Sequence, residues 1–241
     1  MYEYAYAVGT LYGLAIWALV YRLAPGSRQV MLWAGCLTTW MGPLFEYWNH
    51  RDYWRPEYFL PIRWGSWTFG LEDLLIWFVC GGFCAGIFDL AARRQGEREL
   101  AAIKPAGAAR FLLVLLAAFL AVSLFISLFR CNSVYATAGV ASAWGAWFLS
   151  RRPRWIVPAM LTVLLSGTLL LLSYWGFYFR VFPEVFERWW LVSALSGLMV
   201  LGVPVEELLW AASSSLFYGP AFRYYQDQGR QDFLSRKKPS Q

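Results

Sequence analysis

The sequence predicts an all-α integral membrane protein of about seven transmembrane helices in two related halves, with the N-terminus outside and the C-terminus inside. Three observations predict it. Hydrophobic residues make up 59% of the 241 and charged residues only 15%, against about 25% in ordinary soluble domains. The apolar residues come in runs close to the roughly 20 residues needed to cross hydrocarbon. A short acidic motif occurs twice inside such runs, as Gly70-Leu71-Glu72-Asp73-Leu74-Leu75 and as Pro204-Val205-Glu206-Glu207-Leu208-Leu209.

The runs predict spans at roughly 5–22, 29–48, 68–91, 110–129, 134–150, 155–178 and 190–220. Met1-Tyr2-Glu3-Tyr4 lacks the basic stretch of a cleaved signal, so the first run is expected to stay as a span. The last run is too long for one crossing and holds Pro204, which removes a backbone donor. It therefore reads as a short re-entrant or interfacial piece, Trp189 to Val203, feeding a span that begins at Pro204. Basic residues cluster in alternate connections, around Arg93, Arg94 and Arg98, at Arg151, Arg152 and Arg154, and after Arg223. The positive-inside rule then puts the N-terminus out and the C-terminus in, at a cell membrane crossed several times. The net charge of +6 is accounted for by these orientation signals, and nucleic acid is not an expected partner. Residues 1–230 read as one membrane domain, with halves at about 1–108 and 109–230, and 231–241 as a polar cytoplasmic tail expected to be disordered.

The acids carry the functional reading. Ionisable groups inside a membrane are expensive and mark function by default. On this topology Glu72-Asp73 and Glu206-Glu207 start spans that run in the same direction, at similar depth toward the outer side. Glu46, near the outer end of the second span, falls at the same level. Trp77 and Trp210 follow the acidic pairs by about one helical turn, and Trp67 precedes the first pair; these three are the candidate substrate contacts. A neutral carboxyl can donate a proton, a neighbouring carboxylate can stabilise a cation, and aromatic faces do the same. The combination suits protonation of an alkene and containment of the carbocation. Helix capping or ion pairing is the structural alternative for any one acid. Gly82-Phe83-Cys84-Ala85-Gly86 has the form that lets membrane helices approach closely. Cys36, Cys80, Cys84 and Cys131 read as buried thiols, and neither a metal nor an organic cofactor is expected, since no nucleotide or zinc motif occurs.

Pro204-Val205-Glu206-Glu207, followed by an apolar span, resembles the second-half motif of the membrane lycopene cyclases of actinobacteria, archaea and fungi. Gly70-Leu71-Glu72-Asp73 corresponds to the first-half motif with its proline missing, and Asp52-Tyr53-Trp54 is also similar to that family. The resemblance implies a small helical protein of two related halves that cyclises the end group of a linear carotenoid without net redox change. It also implies a lipophilic polyprenoid substrate within the bilayer, and Glu206, Glu207, Glu72 and Asp73 as acid and base. Glu46 is added from depth and topology alone. Other membrane terpene cyclases, alkene hydratases and a proton-coupled transporter remain open as alternatives, as does a non-catalytic assembly subunit. A homo- or hetero-oligomer is open, and the sequence does not name the oligomeric state.

Overall fold

The computed structural model describes residues 2–100 and 102–236, with side chains as far as residue 230. Helix accounts for 79% of the described residues. The helices are α1 (Ala5–Leu23), α2 (Arg28–Thr38), α3 (Met41–Asp52), α4 (Leu71–Arg94), α5 (Pro105–Phe129), α6 (Ser133–Arg151), α7 (Ile156–Ser173), α8 (Phe179–Val181), α9 (Val185–Trp189) and α10 (Val205–Arg236). Between α7 and α8 the chain widens into a π-turn over Tyr174–Tyr178, so the rod continues to Val181.

Local chemistry explains the boundaries. Pro105 opens α5 and Pro153 precedes α7, positions where a missing N–H costs nothing. Asn132 caps α6 by accepting from the Val134 N–H at 3.0 Å. Asp73 reaches back from the first turn of α4 to accept the Gly70 N–H at 2.8 Å. Among the described residues, four helices are long and apolar enough to cross a membrane: Tyr2–Leu23, Leu71–Arg94, Pro105–Phe129 and Pro153–Val181. The second predicted span is instead two helices, α2 and α3, joined by a turn at Thr39-Trp40.

Two features differ from the sequence expectation. The chain is helical but not purely so, because two antiparallel hairpins stand directly before the acidic helices. Strands β1 (Pro61–Trp64) and β2 (Trp67–Gly70) lead into α4, and β3 (Met199–Val200) and β4 (Val203–Pro204) lead into α10. Residues 190–204 are thus not a re-entrant helix. Only a single 3-10 turn, Val192–Ala194, is helical there, and Pro204 ends a strand just before α10 starts, where its missing donor is harmless. The second difference is at the C-terminus. The helix runs on to Arg236, into the segment expected to be a disordered tail, and residues 237–241 lie outside the described residues.

Helices α4 and α10 form the centre. Around them, α1, α2 and α7 pack on α4, and α5, α6 and α7 pack on α10. The glycines of α4 set the α2 contact: a Cβ at Gly82 would lie 2.6 Å from the Met31 carbonyl oxygen. Glycine is therefore required for that approach. Phe88, Phe111, Phe148, Phe222 and Trp155 fill the middle and the basic end of the bundle. A second aromatic cluster, built on Tyr6, Tyr53, Tyr174, Phe186, Trp189 and Trp190, closes the end that carries the acids.

Candidate active site

Both loops that precede the hairpins meet at the acidic end. The Arg55 N–H donates to the Trp189 carbonyl at 2.7 Å, the Leu191 N–H donates to the Tyr53 carbonyl at 2.9 Å, and Trp54 bridges Trp190. This pairing fixes the roof over α4 and α10. Asp52, at the end of α3, extends the same frame by accepting from the N–H of Ser133 at 2.6 Å and from its hydroxyl at 2.8 Å, which anchors the start of α6.

Within each acidic pair the two side chains do different things. The first acid holds the loop before its hairpin. Glu72 Oε1 accepts the Phe59 N–H at 2.8 Å, and Glu206 Oε1 accepts the Ser196 N–H at 2.7 Å and the Tyr135 hydroxyl at 2.5 Å. In both, the other oxygen is buried with no hydrogen-bond partner. The second acid is held by an aromatic side chain of another element. Asp73 accepts the Tyr6 hydroxyl at 2.7 Å in addition to its capping bond. Glu207 accepts the Trp190 indole N–H at 3.0 Å and the Tyr174 hydroxyl at 3.3 Å. Adjacent residues lie about 100° apart around a helix, which is why a consecutive pair can serve a loop and a cavity at once.

A cavity of about 200 Å³ opens beneath the roof. Glu207 and Glu46 both face it, with Trp77, Trp210, Tyr6 and Tyr53 among its walls. Trp77 and Trp210 meet edge to face at 6.4 Å, and Phe45 stacks on Trp77 at 4.9 Å. Glu46 is held by the Tyr58 hydroxyl at 3.0 Å. Tyr53 and Tyr58 belong to the loop after α3. Burial, followed by the nearby Glu207 and Glu46, pushes the Tyr53 hydroxyl far above its usual range. Burial, followed by Glu46 and Asp73, does the same to Tyr58. Both phenols therefore stay neutral, and Tyr58 donates to Glu46.

Of the residues picked out in the sequence, Glu207, Glu46, Trp77 and Trp210 come together around this cavity. Asp73 stands behind Tyr6, one hydrogen bond from the wall. Glu72 and Glu206 face the hairpin loops, and Trp67 donates to the Pro43 carbonyl at 2.8 Å outside the cavity. Sequence reasoning missed Tyr6, Tyr58, Tyr174 and Trp190, which hold the carboxylates. Tyrosine is common in this chain, and only their partners single them out. Among the described residues, no three His, Cys, Asp or Glu side chains are grouped so as to hold a metal ion.

The comparison with known families turns on the second half. Residues 132–225 match a family model described as lycopene cyclase. Through this segment, which is less than half of the chain, the protein is similar to the lycopene cyclase family. The cyclase segment runs from the cap of α6 through α7 and the second hairpin into α10, and it includes Tyr135, Tyr174, Trp190, Glu206, Glu207 and Trp210. Glu46, Glu72, Asp73 and Trp77 lie before it. No curated protein and no solved structure matches the chain. The four apolar helices and the match to this family together point to a membrane protein.

Proposed function

We propose that the protein is an acid-initiated carotenoid cyclase, with the cavity between Glu46 and Glu207 as its reaction chamber. The observation that carries this is two buried carboxyl groups, on α3 and α10, facing one aromatic cavity. One of them, in its neutral form, gives its proton to the terminal alkene of a linear polyene end group. The neighbouring double bond then closes on the tertiary cation to form the ring carbon–carbon bond. A ring proton leaves to the other carboxylate, so the sum is an isomerisation with no redox change. Trp77, Trp210 and Tyr53 offer π-faces to the cation, an attraction worth up to about 2 kcal/mol when water is excluded. Tyr174, Trp190 and Tyr58 fix the carboxylates.

The finer topology belongs to the same proposal. Counting α2–α3 as one crossing, α1, α2–α3, α4, α5, α6, α7 and α10 give seven spans, N-out and C-in, in a multi-pass cell-membrane enzyme. The recurrence of hairpin, acidic pair and long helix at α4 and α10 supports two related halves. Expression in a lycopene-accumulating host, followed by pigment analysis, tests the function. Ring-containing products are expected, and lycopene left unchanged by well-expressed protein would reject the reading.

A further inference from the structure

The chamber of Glu46 and Glu207 does not end at Trp210. A second cavity, of about 130 Å³, continues from it along the bundle, and Gly13, Cys80, Leu170, Ser173 and Trp210 border both. Its wall contains no charged residue; Ile16, Val79, Phe83, Leu169 and Ala211 give it an apolar surface. Two of its polar side chains are already engaged. Ser173 donates to the Leu169 carbonyl at 2.7 Å, and Cys84 Sγ lies 3.6 Å from the Ser215 hydroxyl.

The helices on either side are α1 and α7. Each packs on α4, and they make few contacts with one another. At the acidic end their seam is bridged by Tyr12 stacked on Phe177, with ring centroids 4.9 Å apart and planes 4° from parallel. Beyond that bridge both helices expose large apolar side chains, Leu19 on α1 and Met160, Leu161, Leu164 and Leu165 on α7. A surface of this kind faces hydrocarbon in a membrane.

We propose that the second cavity binds the hydrocarbon tail of a linear polyisoprenoid whose end group occupies the Glu46–Glu207 chamber, the chain passing to the bilayer between α1 and α7. This rests on the cyclase reading. The two cavities together reach the low end of the roughly 300–1,000 Å³ usual for ligand sites. They hold an end group and the first part of a chain, and leave the remainder in the seam. An apolar slot rewards length without demanding polar recognition, because each buried methylene contributes about 0.8 kcal/mol.

Gly13 is the place to test it. A Cβ there would stand 3.7 Å from both Ile76 Cδ1 and Val79 Cγ1, an ordinary contact, so a methyl fits and a larger side chain extends into the neck shared by the cavities. The experiment purifies wild type, Gly13→Leu and Gly167→Leu in lipid nanodiscs and exposes each to lycopene. Bound polyene per protein is read by absorbance after size exclusion, and conversion by product analysis. A Cβ at Gly167 meets nothing within 4 Å, so that variant controls for added bulk. Gly13→Leu is expected to bind at least tenfold less lycopene, with Gly167→Leu unchanged. A folded Gly13→Leu that binds or converts lycopene like wild type overturns the tail site. If Gly13→Leu does not fold, Ser173→Leu, on the opposite side of the neck, is read by the same criteria. Wild type that binds lycopene without converting it sinks the cyclase reading and leaves the tail site standing. Wild type that neither binds nor converts it overturns both.

Discussion

At the scale of single residues, Glu206 and Glu207 part company. Glu207 faces the cavity, whereas Glu206 holds Ser196 and Tyr135. Glu207→Gln keeps the shape and the acceptor for Trp190 but removes the acid, so conversion is expected to fall at least about 100-fold, the lower range for a general acid. Normal size-exclusion behaviour in the same sample would confirm that folding is intact, and retained turnover would remove Glu207 from the chemistry. Glu206→Gln preserves an oxygen for both donors and is expected to stay within about threefold of wild-type conversion. Glu206→Ala removes two hydrogen bonds to a charged group, made by the exposed residues Ser196 and Tyr135, and is expected to lower the melting midpoint of the purified protein. Both carboxylates are visible in the sequence, but their division of labour is not. Adjacency tells only that they point in different directions. Which direction meets the cavity depends on Trp190 and Tyr174, distant in the chain and unremarkable by type.

At the scale of elements, the helices were legible because each needs a long apolar run, and the hairpins were not. Gly65-Ser66 between Trp64 and Trp67 is a two-residue hairpin signal, and Gly65 indeed takes φ +60°. It was masked by the apolar residues around it, which extend the next span. The second hairpin turns through Leu201 and Gly202, with φ +53° and +81°. Leucine is a poor choice for that conformation, so nothing in the sequence advertised the turn. The close-approach motif of α4 was legible and has a clear geometric cost attached. At Gly82 an added Cβ would stand 2.6 Å from the Met31 carbonyl and from Trp17 Nε1. Gly82→Ala is expected to destabilise by about 1–3 kcal/mol through overpacking. A melting midpoint equal to wild type would mean that α2 is free to shift away.

At the scale of the whole molecule, α4 and α10 are joined at the end away from the acids. Asp89 lies 17 residues after Glu72, and Arg223 lies 17 after Glu206, about 26 Å along each helix. The equivalent positions of the two proposed halves therefore carry opposite charges, and they meet: Arg223 Nη1 stands 2.6 Å from Asp89 Oδ1, and both residues are buried. Ser27 donates to the second Asp89 oxygen at 2.8 Å, and Arg223 also donates to the Arg98 carbonyl. In the sequence Arg223 reads as an orientation signal in the inner segment after the last span, because a sequence does not show which helix lies opposite. Removing one partner leaves an uncompensated charge, a loss of about 3–5 kcal/mol, whereas replacing both by apolar residues of similar volume is often neutral. Arg223→Met alone is thus expected to lower the melting midpoint sharply, and Asp89→Leu with Arg223→Met to restore most of it. The chemistry is far from this pair, so conversion per folded molecule is expected to match wild type in the double variant. Stability and turnover measured on the same three samples separate the outcomes. A double variant as unstable as Arg223→Met would show that the pair does more than neutralise itself. A stable double variant with lost conversion would show that the clamp between α4 and α10 also sets the spacing of Trp77 and Trp210 in the cavity.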